Sequence, residues 1–209
     1  MEATWANLIF SQTNTGMGAC IRLVTGQFYN HVALHFSQNP QAFYSFARRY
    51  CNAPLWGGFV EESPQRYLKT GKDCHVKACA LPQEMAQLAW ERLQPFLQAP
   101  QWYLYNSYDA LYTLWGKRYP LPGAFTCVGF VENLLQAPAL GSIPGLEAAF
   151  AQQEVYQGGF TGYLQHWGLE GPKTKDALDT YFTRLPFFQA VRGTIGHLEG
   201  LHGRKRLRK

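Results

Sequence analysis

Residues 125–135 read FTCVGFVENLL, and the arrangement of the rest of the chain follows from this stretch. Thr126 is a natural N-cap, and Val131, Leu134 and Leu135 recur at helical spacing, so a helix is predicted over Cys127–Leu135. Cys127 then lies on the first helical turn. Unsatisfied backbone N–H groups and the helix dipole favour an anion there, and a thiol is the side chain most readily turned into a nucleophile at neutral pH. The same N–H groups can supply part of an oxyanion hole.

Upstream of this helix the chain reads as sheet. In 30–37 (NHVALHFS) alternation places Val32, Leu34 and Phe36 on one face and His31, Ala33 and His35 on the other, with the apolar face expected to pack inward. Similar short apolar runs occur at 5–11 (WANLIFS), 19–25 (ACIRLVT) and 42–48 (AFYSFAR). Residues 52–63 read as a loop entering a short strand, and 73–80 (DCHVKACA) as a further strand. Helical spacing returns at 82–97, with Pro82 at the first turn and Pro95 expected to bend or end the helix, and again from Ser107 to Trp115 behind Asn106 as cap. The segment 154–164 (EVYQGGFTGYL) reads as a closing turn or strand. These elements make an α+β domain over 1–170, followed at 171–209 by a C-terminal appendage in which Pro186 interrupts one or two helices.

A chain of 209 residues is long enough to bury about 70% of its unfolded surface. With 16% charged and 15% aromatic residues, global disorder and a long coiled coil are excluded. The net charge of +5 resides in the tail, where Arg204, Lys205, Arg206, Arg208 and Lys209 are clustered; without them cations and anions balance at 14 each. Sequence-specific nucleic-acid binding is therefore not expected, although the tail can touch phosphates or an anionic lipid surface. Met1–Phe10 carries Glu2 and has neither a basic stretch nor a sustained apolar one, and no run of 18 apolar residues exists, so a soluble, cytoplasmic protein is expected. Five cysteines without framework spacing (Cys20, Cys51, Cys74, Cys79, Cys127) fit reduced thiols.

The segment Phe125–Leu135 resembles the nucleophile helix of the papain-like NlpC superfamily of cell-wall cysteine peptidases. In its ordinary members the Cys precedes the His, whereas here the matching His segment, FYNHVALHF (Phe28–Phe36), comes about a hundred residues earlier. That order resembles the circularly permuted branch, which includes bacterial YiiX/YebB-like amidase-type proteins and lecithin:retinol acyltransferase-like enzymes. FYSFARRYCNAPLWGGFVEE (Phe43–Glu62) and VYQGGFTGYL (Val155–Leu164) look like the same branch, so that the resemblance spans roughly 5–165. It implies a permuted papain-like fold, an antiparallel sheet packed against the helix that bears the nucleophile, with no cofactor or metal.

On this resemblance Cys127 is the nucleophile and His31 its general base. His35 is the rival, but it lies about 13 Å from His31 along the strand at ~3.3 Å per residue, so only one of them can serve the thiolate. The group that orients the imidazole is expected on the next strand, where Ser45 stands in place of the usual His, Asn, Gln or Glu; Glu61 or a backbone carbonyl can do the same. The resemblance also implies that a tyrosine before the Cys helix, one of Tyr103, Tyr105 and Tyr108, helps to hold the oxyanion.

Other constellations are weaker. Cys74, His75 and Cys79 lack the second pair of ligands that structural zinc requires. Glu61 and Glu62 are neighbours on a strand and point to opposite faces, which does not suit paired acid/base work. GGFV at 57–60 has no following helix to cradle phosphate. Trp56, Trp102, Tyr103, Tyr105, Tyr112, Trp115, Tyr119 and Phe125 either fill the core or line a groove. The expected function is hydrolysis of an amide or ester in a small peptide, amide or acyl-lipid substrate. The alternatives are a lipid-directed acyltransferase of the same fold, in which another acceptor resolves the acyl-enzyme, and a non-catalytic binding module.

Overall fold

A computed structural model describes residues 5–13, 22–23, 25–53, 55–68, 73–113, 115–137, 140–169 and 179–207. In chain order the strands are β1 (Ala6–Ser11), β2 (His31–Phe36), β3 (Phe43–Arg48), β4 (Gly57–Glu62), β5 (His75–Ala80), β6 (Leu104–Tyr105), β7 (Ala124–Phe125) and β8 (Glu154–Gly159). The helices are α1 (Gln65–Leu68), α2 (Gln83–Gln98), α3 (Ser107–Thr113), α4 (Cys127–Leu135), α5 (Ile143–Ala149), α6 (Phe160–His166) and α7 (Phe187–Arg206). All eight strands join one sheet in the order β7-β6-β4-β3-β2-β1-β5-β8. The α+β class stands, but the sheet is mixed and not purely antiparallel, because the short edge strands β6 and β7 run parallel.

The alternation read in β2 is real, yet both of its faces are covered. Val32, Leu34 and Phe36 join Leu8, Phe10, Tyr44, Phe46 and Phe59 in a core closed by Ala89, Leu93 and Phe96 of α2 and Phe130, Val131 and Leu134 of α4. Ala33 shares the opposite face with Ile9, Phe43, Val76 and Ala78, beneath Tyr67 of α1 and Phe160, Tyr163 and Leu164 of α6. A large apolar side chain fully removed from water contributes about 1.5–3 kcal/mol, so two covered faces anchor the central strands firmly. The β2–β3 ladder pairs only Leu34 with Tyr44 and His35 with Phe43, while β3–β4 pairs six positions. The His31 end of β2 is therefore unpaired with β3.

Local chemistry explains the helix ends. Thr126 Oγ1 accepts from Gly129 N at 3.0 Å, the capping bond that starts α4 at Cys127. At the other end Gln136 takes the left-handed conformation (φ 47°) and its N–H returns to Glu132 O. Pro82 stands at the N-cap of α2, just before the first turn in which it is expected, and Pro95 lies inside the helix, which continues to Gln98. Of the 19–25 run, expected as strand, Arg22, Leu23 and Thr25 are helical, while Cys20 and the other positions lie outside the described residues.

The boundary expected near residue 170 falls at 170–178, outside the described residues, and residues 179–207 beyond it pack against the body of the fold. Asp179 is buried and its carboxylate accepts from Arg66 Nη2 (2.6 Å), Arg66 Nε, Ser63 N and Ser63 Oγ. Pro186 begins α7 instead of breaking it. Leu201 of α7 is buried against Leu121 and Ala124, with Leu104, Tyr108 and Tyr119 around them. The basic end is engaged as well: Arg204 donates to the carbonyls of Pro122 and Trp102, and Lys205 lies over the rings of Tyr108 and Tyr119. Arg206 closes the helix, and Arg208 and Lys209 lie outside the described residues.

Replacing Asp179 with Ala leaves the Arg66 guanidinium buried without its main partner, so the expected loss is ~3–5 kcal/mol, read as a lower urea midpoint at unchanged m-value.

Candidate functional site

The capped start of α4 presents Cys127, which is 8% exposed, toward the unpaired end of β2. Helix geometry leaves the Cys127 and Val128 N–H groups without intrahelical acceptors. The Cys127 thiol is a near neighbour of the His31 imidazole, close enough to help hold its proton. His31 Nε2 is 2.9 Å from Glu62 Oε1, which leaves Nδ1 as the nitrogen for the sulfur. Cys127, His31 and Glu62 thus form a continuous chain from helix N-terminus to buried carboxylate.

Ser45 does not touch the imidazole in the way expected of the orienting group. It is fully buried and donates to Glu62 Oε1 at 2.6 Å, one step further out. Glu61, the other side-chain candidate, is exposed on the opposite side of β4. The carboxylate that holds the imidazole is Glu62, which the sequence offers only as half of a carboxylate pair. The rule that separates Glu61 from Glu62 also requires one of them to face inward, and the register puts Glu62 opposite Phe43, on the face that carries Ser45. Alternation says that one of the two faces inward, and the pairing with β3 decides which.

Glu62 is held by more than His31. Tyr67 OH donates to Oε2 at 2.7 Å, and Arg66 Nη1 lies 3.8 Å from Oε1. Burial by itself raises a carboxyl, but here the imidazolium charge, its hydrogen bond, Arg66 and the Ser45 bond prevail and push Glu62 down to about 2. For His31 burial works downward, and the Glu62 charge with the hydrogen bonds to Cys127 and Glu62 overcomes it, pushing the ring up to about 10. At neutral pH His31 is a buried imidazolium facing both a carboxylate and a sulfur.

His35 is a structural residue. Its Nε2 donates to Pro40 O at 3.1 Å, its Nδ1 accepts from Tyr163 OH at 2.6 Å, and its ring stacks on Phe43. Burial, opposed by the Pro40 bond, pushes it down to about 4, so it stays neutral. Of the three tyrosines, Tyr103 packs on Phe96 and Tyr108 against Tyr119, while Tyr105 is close enough to feel the charge of Cys127. Burial first and that charge second raise its phenol, which remains a protonated donor.

The remaining cysteine motif is dispersed. Cys74 donates to Gln12 O and sits in the core under α6, Cys79 belongs to the core on the opposite face, and His75 Nδ1 faces Tyr29 OH at 3.3 Å. Among the described residues no group of three or more His, Cys, Asp or Glu side chains is placed to hold a metal ion. Cys51, Cys74, Cys79 and Cys127 are free thiols. No helix among the described residues is long and apolar enough to cross a membrane. Family models, curated proteins and solved structures were compared with this chain, and none matches it.

The shifts of Glu62 and His31 set a pH window. The Glu62 contribution is present above the ordinary carboxyl value of about 4.3 and lost as pH falls toward 2. The His31 contribution is complete below about 6.5 and lost as pH rises to about 10. In thermal melts Glu62→Gln is expected to abolish the decline between pH 6.5 and 10, and NMR should then find His31 titrating several units lower, while Glu61→Gln leaves both unchanged.

Proposed function

We propose that the protein is a thiol hydrolase of the cysteine peptidase or amidase type on a circularly permuted papain-like fold, with Cys127 as nucleophile, His31 as proton carrier and Glu62 as the group that orients and charges the imidazole. The observation that carries this reading is His31 held between the buried Glu62 carboxylate and the thiol at a capped helix N-terminus. Substrates are amides or esters of small peptide, amide or acyl-lipid character.

In this mechanism the Cys127 thiolate, paired with the His31 imidazolium, attacks the carbonyl carbon. The oxyanion accepts hydrogen bonds from the Cys127 and Val128 N–H groups, with the Tyr105 phenol as a further donor. His31 passes its proton to the leaving nitrogen or oxygen, the bond to carbon breaks, and a thioester remains on Cys127. Neutral His31 then takes a proton from water, hydroxide adds to the thioester, the acid departs and the thiolate–imidazolium pair is restored. Glu62 stays ionised throughout, its charge offsetting the imidazolium at every stage. Ser45 and Tyr67 act on Glu62 alone and are positioning residues.

A lipid-directed acyl transfer by the same thioester is a second reading. It is favoured by the outward apolar stripe of α7, where Phe187 is 74% and Phe188 83% exposed. Contact with an anionic surface through Arg206 and the residues after it would serve the same purpose.

The pH dependence of iodoacetamide labelling, mapped by mass spectrometry, tests the pair. Burial pushes Cys79 up to about 11, and burial with Asp73 pushes Cys74 up to about 12, so both stay protonated at neutral pH. Cys127 is expected to react below pH 7 and to lose that reactivity by about tenfold or more in His31→Ala and Glu62→Gln. Ser45→Ala should retain most of it. A Cys127 that titrates as an ordinary thiol makes the protein a binding module. A trapped fatty-acyl thioester that passes to a lipid acceptor faster than to water decides for the transferase.

A further inference from the structure

A cleft of about 560 Å³ opens between α7 and the β4–β6 part of the sheet, and neither Cys127 nor His31 lines it. Its walls carry Arg49, Arg192 and His197 together with Trp56, Gln101 and Gln189, and no carboxylate among the described residues. Arg49 is drawn across the bare backbone of Gly58, where a Cβ would lie 2.9 Å from its Nη2, and donates that nitrogen to Pro100 O at 2.7 Å. Its Nε is buried and without a partner.

His197 is the more telling group. The side chain is 97% buried, being 3% exposed, and its Nε2 donates to the Tyr105 carbonyl at 3.0 Å. That bond fixes the proton on Nε2 and leaves Nδ1 as an acceptor, and nothing among the described residues donates to it. Burial first, then the charges of Arg49 and Arg204, push the ring down against the pull of the Tyr105 bond, which keeps Nδ1 unprotonated. A buried acceptor without a donor costs about 1–3 kcal/mol, and the residue that carries this one lines the cleft. Closeness is plain at Gly193, where any Cβ would run into the Trp56 indole.

We propose that this cleft binds a small oxyanion-bearing molecule, its carboxylate or phosphate held by Arg49 and Arg192, an N–H or O–H donating to His197 Nδ1, and its body lying on Trp56. Two guanidiniums with no competing carboxylate select a negative group, and the planar fork of Arg matches carboxylate and phosphate oxygens. The acceptor on His197 selects against a bare anion and for one that carries a donor. This assignment does not rest on the chemistry at Cys127.

Isothermal titration of the full chain with inorganic phosphate, N-acetylglycine and N-acetylsarcosine tests it. One of the first two is expected to bind saturably at one site, and Arg192→Glu is expected to weaken it by about tenfold or more. Arg184→Glu, an exposed position outside the cleft, and Cys127→Ala should leave it unchanged. Preference for phosphate assigns a phosphorylated ligand; preference for N-acetylglycine, with N-acetylsarcosine weaker for want of the N–H, assigns a carboxylate that carries an amide. The site is overturned if neither phosphate nor N-acetylglycine saturates, or if Arg184→Glu weakens binding as much as Arg192→Glu does. Equal binding of N-acetylglycine and N-acetylsarcosine overturns His197 as the acceptor.

Discussion

A carboxylate placed inside a protein must be surrounded by donors or it will not stay ionised, and Glu62 is the place where this chain meets that demand. Its two oxygens collect His31 from β2, Ser45 from β3, Tyr67 from α1 and the charge of Arg66. Each donor comes from a different position in the sequence, so the burial of one charge fixes the mutual placement of three strands and the helix after them. Apolar packing alone would tolerate small slips between these elements. A charged hydrogen-bond cluster does not, because a slip of any one element lengthens a bond to the ion.

The two-sided sheet supplies the rest of the frame. The core under α2 and α4 sets the depth of the Cys127 helix, and the core under α6 sets the Glu62 cluster on the other face. Cys127 and Glu62 therefore belong to opposite sides of the sheet, and His31 joins them from the end of β2 where pairing with β3 has lapsed. An uninterrupted ladder would close that end. A second carboxylate cluster steadies α4: Arg118 bridges Asp109 and Glu132, and Glu132 also accepts from Gly141 N at 2.6 Å.

What could be read from sequence divides along the range of the interactions involved. The α4 start was legible because a cap is local, with Thr126 and Gly129 three residues apart, and so was the His31 strand, whose alternation needs no partner. The orienting group was missed because its identity depends on register between β3 and β4, which no local pattern encodes; Ser45 was the nearest polar residue on the expected strand, and it turned out to be one link removed. Pro95 misled for a related reason, since tertiary packing of Leu93 and Phe96 in the core holds α2 together past a residue that cannot complete its hydrogen-bond ladder. How residues 179–207 meet the rest of the chain could not be read from Pro186 and a basic run, which are local features. Asp179 and Leu201 gain meaning only from Arg66 and Leu121, more than 70 residues away.

That C-terminal segment reaches the thiol centre along two separate lines. On one side Asp179 orders Arg66, which stands beside Glu62. On the other, His197 donates to the carbonyl of Tyr105, whose ring is the one that senses the charge on Cys127. A strand of two residues such as β6 has little pairing of its own to hold it, with Leu104 opposite Gly58 on one side and the equally short β7 on the other. The hydrogen bond from α7 therefore does for Tyr105 what a longer ladder would otherwise do. The same helix forms one wall of the cationic cleft, and His197, which lines that wall, is the residue that holds the Tyr105 carbonyl.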